Sequence, residues 1–134
     1  MNNPFSTLEM AAGYARSRPP VHHRIIARAS AYLPPRCLRA LDIGCGAGLS
    51  TSALQGIAGK RFGIDPAESM IRMTATGDPG ANFAVGAAEA LPFTEGSIDL
   101  ITAAGSLNYV DLDVFFVEAA NVLSERGVLV VYDF

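Results

Sequence analysis

Tryptophan is absent from this chain of 134 residues, and cysteine and histidine occur twice each. These shortages close off several classes of function. Cys37 and Cys45 lack metal-ligand spacing and are too few for a disulfide framework. His22 and His23 are neighbours, and neighbouring side chains on a helix point about 100° apart, so the pair cannot chelate one metal. The sequence therefore predicts no metal centre and a solvated helix start at both histidines. A catalytic role for one of them stays open, because histidine titrates near neutral pH. Charge is scarce as well. Ten basic against 13 acidic residues leave a net charge of −3, so no broad basic surface advertises nucleic acid or membrane binding. The apolar runs fall short of the ~20 residues of a membrane span. Met1-Asn2-Asn3-Pro4 does not open a secretory signal. A soluble, cytoplasmic protein is expected, without nucleic acid or membrane partners.

Apolar residues and glycine are plentiful. Half of the chain is hydrophobic, with 13 glycines, and the mean hydropathy is +0.28. That composition suits one well-buried α/β domain. The organising stretch is Leu41-Asp42-Ile43-Gly44-Cys45-Gly46-Ala47-Gly48-Leu49-Ser50-Thr51. A buried strand leads into it and a helix start follows, so the glycines sit on a strand-to-helix turn. Glycine there reaches backbone angles closed to other residues and lets a ligand touch the main chain. The helix start adds unpaired N–H groups and a positive dipole end. The dinucleotide pattern G-x-G-x-x-G would need glycine at 49, which is Leu49. Asp42 would also repel a pyrophosphate, whereas it would welcome an ammonium group, directly or through water.

Strands are predicted at 38–43, 60–64, 81–85, 98–104 and 128–133. Helices are predicted at Leu8–Arg16, Val21–Leu33, Leu49–Ile57, Ala67–Thr76 and Asp111–Ser124. Strands alternating with helices give a parallel sheet with right-handed crossovers. Asp65 falls at the tip of the second strand, beside the glycine loop, where a carboxylate can accept from both hydroxyls of a ribose. It also reads as a helix cap, with Pro66 at the first helical position. Met70, one turn on, is placed to pack on a base or in the core.

Taken together, these motifs resemble class I S-adenosylmethionine (SAM) dependent methyltransferases, in particular the small-molecule enzymes of type 11. The resemblance rests on D-x-G-x-G-x-G at Asp42–Gly48, on Asp65, and on Gly86-Ala87-Ala88-Glu89-Ala90-Leu91-Pro92-Phe93, similar to the family's G-D-A-E-x-L-P-F. Tyr14-Ala15-Arg16-Ser17-Arg18-Pro19 also resembles the family's Y-A-x-x-R-P start. It implies a Rossmann-like, doubly wound sheet of order 3-2-1-4-5 with helices on both faces. Residues 1–36 are expected to form an N-terminal helical cap, in which Tyr14 and Arg18 either lie over the cofactor, as the resemblance implies, or belong to a plain surface helix and a proline-rich turn; residues 37–134 are expected to form the SAM-binding core. The implied cofactor residues are Asp42, Gly44, Cys45, Gly46 and Gly48 in the loop, and Asp65 and Pro66 at the ribose. Met70, Ala88 and Glu89 belong to the adenine, Ala104 to the ammonium group and Tyr14 to the lid. Ala87 departs from the family's acid and cannot accept from the adenine amine.

The implied reaction is methyl transfer from SAM to a small-molecule acceptor, leaving S-adenosylhomocysteine (SAH). Asn108 and Tyr109 are expected where acceptor and sulfonium meet. No residue stands out as a base: Tyr14, His22, His23, Tyr109 and Asp111 are candidates by position alone. A SAM- or nucleoside-binding module without activity and an NAD-dependent oxidoreductase are the alternatives. Relatives of this shape continue past the fifth strand. The chain is therefore expected to be a fragment, or a short form that pairs its last strand with another subunit.

Overall fold

In the computed structural model, which describes residues 21–74 and 79–133, five strands pair in parallel in the order 3-2-1-4-5. The central strand β1 (Arg39–Ile43) lies between β2 (Lys60–Asp65) and β4 (Ile98–Ala104). The flanking strands are β3 (Ala81–Val85) and β5 (Leu123–Tyr132). Helices α1 (Val21–Ala29), α2 (Leu49–Ser52), α3 (Glu68–Arg72) and α4 (Leu112–Val122) make the connections. The expected helix 8–16, with Tyr14 and Arg18, lies outside the described residues.

Side chains alternate across a strand, and β1 and β4 use that alternation to build two cores. Leu41, Ile43, Ile101 and Ala103 face α4, where Phe115, Ala119 and Val122 are buried. On the opposite face Ala40 and Leu100 meet Ile26 of α1 and Leu54 beyond α2. Helices therefore cover both faces, as a parallel sheet requires.

The first four strands fall where the sequence places them, whereas the last begins at Leu123, five residues before the expected 128, and the helix ends differ. Helix α1 stops at Ala29 and tightens into a 3-10 turn, Ser30–Tyr32. Leu33 is extended, as a residue before proline must be. Beyond Ser52 the chain follows i→i−3 bonds, such as Leu54 N to Thr51 O and Gln55 N to Ser52 O, and turns at Gly56 with φ +85°. The helix expected to reach Ile57 thus ends early. Helix α3 begins at Glu68 with Ala67 as its cap, so Pro66 precedes the helix instead of opening it. Helix α4 passes directly into β5. Leu123 pairs with Ile98 and Val128 with Leu100, so Ser124–Gly127 bulge outward. A Cβ at Gly127 would press on the Leu123 side chain and the Ser124 carbonyl, both under 3.0 Å away.

His22 corrects one expectation. It is buried, and its Nδ1 lies 2.7 Å from the Tyr132 hydroxyl, joining α1 to β5. His23 is exposed. The spacing of His22 and Ile26, one turn apart on the buried face of α1, was the available signal. Asp99 works as a second fastener. Its Oδ2 accepts from Leu38 N (2.8 Å) and Arg39 N, and its Oδ1 from Ser124 Oγ (2.8 Å). Burial alone would raise this carboxyl, but those donors and the Arg39 charge outweigh it, and its pKa is lowered.

Phe115 is fully buried between α4 and the sheet. Phe115→Ala should destabilise the fold by about 3–5 kcal/mol in urea unfolding, the usual range for a buried phenylalanine. A loss under about 1 kcal/mol would show that α4 is not packed as described.

Candidate functional site

Strand β1 ends at Ile43, and the next residues turn sharply. Gly44, Gly46 and Gly48 have φ of +63°, +56° and +97°, in the left-handed region, where a Cβ is costly. Gly44 is constrained a second time, because a side chain there would run into Ser106. Ser106 Oγ in turn donates to Ile43 O at 2.8 Å and draws the end of β4 against the end of β1. The loop is pinned to its other neighbour by Cys45 N, which donates to Ile64 O at 2.9 Å. Gly48 is the left-handed residue that starts α2.

Asp42 lies beneath this loop and has no exposed surface. Its Oδ2 accepts from Ser50 Oγ and from Thr51 Oγ1 (2.7 Å), and its Oδ1 from Thr102 Oγ1 (2.9 Å). Burial pushes its pKa up to about 6, against the three hydroxyls, which lower it; the nearby Asp65 adds to the rise. Burial also raises the Cys45 thiol, and the charges of Asp42 and Asp65 raise it further, so it is held in the protonated form.

Asp65 closes the side of the loop. Its Oδ2 accepts from Gly46 N at 3.0 Å and its Oδ1 from Ala67 N at 2.8 Å. Burial raises this carboxyl, partly offset by the two main-chain donors.

Beyond the carboxyl ends of β1, β2 and β4 opens a cavity of about 310 Å³. That is the point where strand order reverses, which is where open α/β sheets bind ligands. Of the residues singled out from sequence, Gly44, Gly46, Asp65, Pro66, Met70, Ala88, Glu89 and Ala104 line it together. Asp42, Cys45 and Gly48 do not: Asp42 is buried beneath the loop, and Cys45 and Gly48 are buried within it. Tyr109 lines the mouth and is half exposed, while the lining does not include Asn108. Ile43, Gly86, Ala87, Gly105, Ser106 and Val110 complete the wall without having been assigned to it beforehand. For Ser106 a signal existed, a small polar residue just past the end of a strand. For Val110 there was none.

The far wall is a loop after β3. Gly86 N donates to Asp65 O (3.1 Å), and Ala90 N closes a turn onto Ala87 O (3.2 Å). Glu89 Oε2 accepts from Asp111 N at 3.2 Å. Asp65 and the loop main chain on the near side, and small residues beside Glu89 on the far wall, suit a ligand with an amino-acid end, a ribose and a flat base. Among the described residues no group of His, Cys, Asp and Glu could hold a metal, and no helix is long and apolar enough to cross a membrane.

Residues 41–131, more than half of the chain, match the family described as methyltransferase domain. A Dictyostelium discoideum protein assigned provisionally to the methyltransferases is 27% identical over 93% of this chain and 47% of its own length. The Bacillus subtilis protein YcgJ, an uncharacterised methyltransferase, is 31% identical over 71% of this chain and 40% of its own. Its crystal structure superposes with a TM-score of 0.74 at 28% identity, covering 82% of this chain and 50% of that one. A structure of the Haloferax volcanii Trm112 methyltransferase activator in complex with a methyltransferase-type protein gives 0.80 at 25% identity, covering 96% and 59%. The chain spans about half the length of the curated relatives it matches.

The raised Asp42 pKa fixes a pH dependence. Between its unfolded value near 4 and its folded value of about 6, the folded state holds the extra proton, so stability falls as pH rises through that window. Relative to Asp42→Asn, the wild type should lose on the order of 3 kcal/mol from pH ~4 to ~6, and little beyond, at about 1.4 kcal/mol per pKa unit. Urea unfolding of both proteins across pH checks this, and a constant difference would show that folding leaves the Asp42 pKa unshifted.

Proposed function

The chain belongs to the methyltransferase domain family, and from that premise we propose that its cleft binds SAM and serves methyl transfer to a small-molecule acceptor by in-line displacement, with SAH as the second product. The observation that carries this reading is the convergence on one cavity of the glycine loop, Asp65 and the Ala88–Glu89 turn.

The residues present fit the cofactor. Gly44 and Gly46 offer main chain free of side chains, in a conformation that only glycine holds easily. Asp65 already accepts one main-chain bond on each oxygen, and each carboxylate oxygen has a further lone pair for a ribose hydroxyl. Met70, Ala88 and Ala87 give the base an apolar bed, and Ala104, at the end of β4, lines the part of the cavity assigned to the ammonium end. Asp42 takes part from below, through Ser50 and Thr51, not by contact. When bound, SAM supplies a methyl group on a sulfonium that is already a good leaving group. The protein then has to position the acceptor and keep water out. Ser106, Tyr109 and Val110 form the wall nearest that step, and no general base is assigned.

The rival is a binding module of the same fold without turnover, and acceptor-dependent formation of SAH separates the two. A screen of O-, N- and C-nucleophiles addresses the acceptor. Two protein partners are also in view. One is a second copy of the chain along β5, where Val131 is exposed; the other is an activator of the kind solved with the Haloferax volcanii neighbour. Light scattering across a dilution series tests the first. The proposed setting is the cytoplasm.

Asp65→Ala should weaken SAH binding by about 1.5–3 kcal/mol, the value of a hydrogen bond to a charged group. Gly46→Val should weaken it more, since the left-handed turn is then strained. Calorimetry showing unchanged affinity in both variants would remove the loop and Asp65 from the site.

A further inference from the structure

The far wall of the cleft has no regular secondary structure between β3 and β4, so something else must hold it still. Its cleft-facing part is the turn Ala87–Ala90, closed by Ala90 N to Ala87 O, with Ala88 and Glu89 at its centre. Among the described residues no acceptor meets the N–H groups of Ala88 and Glu89. The entry to the turn is fixed by the sheet, through Gly86 N and Asp65 O. The exit is fixed by a side chain from behind. Leu91 N donates to Glu118 Oε1 at 2.8 Å, reaching across to the middle of α4. Leu91 is buried, in the same core cluster as Ala88, Phe115 and Ala119. A carboxylate accepting from a main-chain N–H is among the stronger hydrogen bonds a protein makes. Without it, a donor in this core would be left unmet.

We propose that Glu118 is a positioning residue for nucleobase selection. By fixing the main chain at Leu91 it holds Ala88 and Glu89 where their N–H groups face an acceptor nitrogen on the edge of the base. The inference rests on reading the cleft as a SAM site. Adenine presents such a nitrogen at ring position 1, whereas hypoxanthine carries a proton there and turns the acceptor into a donor. A correctly placed N–H therefore rejects hypoxanthine, because two donors would then meet. A loosened turn discriminates less.

The test compares adenosine with inosine by calorimetry on the wild type, Glu118→Gln, Glu118→Met and Glu118→Asp, with thermal unfolding alongside. The wild type should prefer adenosine by roughly tenfold or more, the scale of one hydrogen bond. Glu118→Gln keeps an acceptor oxygen at the same reach and should keep the preference. Glu118→Met fills the space without an acceptor and should lose most of it. Glu118→Asp keeps the charge but falls short of Leu91, and should lose most of it too, which covers the case in which the methionine variant does not fold. Retention of the preference by the aspartate or the methionine variant overturns the proposal. So does its loss in the glutamine variant. A wild type that binds neither nucleoside nor SAH overturns the cofactor reading itself, an outcome distinct from intact selectivity in the variants.

Discussion

A carboxylate removed from water survives only where other donors take water's place. Asp42 meets this demand with three hydroxyls drawn from two elements: Ser50 and Thr51 of α2, and Thr102 of β4. The consequence is geometric. The chain leaves the sheet one residue past Asp42, after Ile43, passes through the glycine loop and returns to the Asp42 carboxylate at Ser50 and Thr51, so the loop is cinched at its base. Thr102 ties that knot to the strand on the far side of β1. Apolar packing alone would hold α2 against the sheet at many small offsets. The buried charge selects one of them.

The acids around the cleft divide the work. Asp42 acts from below and never reaches the cavity. Asp65 acts from the side, where its inward lone pairs brace Gly46 and Ala67 and its carboxyl still lines the cavity. Glu89 lines the opposite wall and is fastened to the start of α4. A cleft whose charged groups are carboxylates suits a cofactor that carries a sulfonium and an ammonium group. Cys45, in the middle of the loop, is buried and kept as a thiol, so it contributes shape and no reactivity.

Much of this arrangement was legible in the sequence, because local chemistry specified it. Apolar runs of strand length separated by turns placed the strands, and the glycines at 44, 46 and 48 announced a turn that only glycine makes. The offset of Asp65 placed it beside that turn. Wherever distant residues decide, the reading was incomplete. Whether Asp42 points at a ligand or into the core depends on Thr102, which no local pattern connects to it. His22 looks solvated until Tyr132 is brought to it. The helix expected through Ile57 has reasonable propensity, but Gly56 and the need to reach β2 end it early. Helix α3 starts after Pro66 because Asp65 takes the Ala67 N–H and holds the chain extended for two residues. Glu118 carried no local sign of its role, since its partner is a main-chain N–H on another loop.

Strand order also governs the route by which this chain can fold. Strands β1, β2 and β3 are neighbours in sequence and in space, so they can zip up through short loop closures. Pairing of β1 with β4 joins Ala40 to Leu100 and Ile43 to Ala103, and must wait for a far longer segment to be brought back. Non-local parallel pairing of this kind is slow, because chain entropy is lost before contacts compensate. The cleft lies on that seam. A half-formed sheet containing only the first three strands has the glycine loop and Asp65 but lacks Ala104, Ser106 and the Thr102 anchor. Ligand therefore cannot template the early stages, and its contribution arrives only after the seam between β1 and β4 has closed.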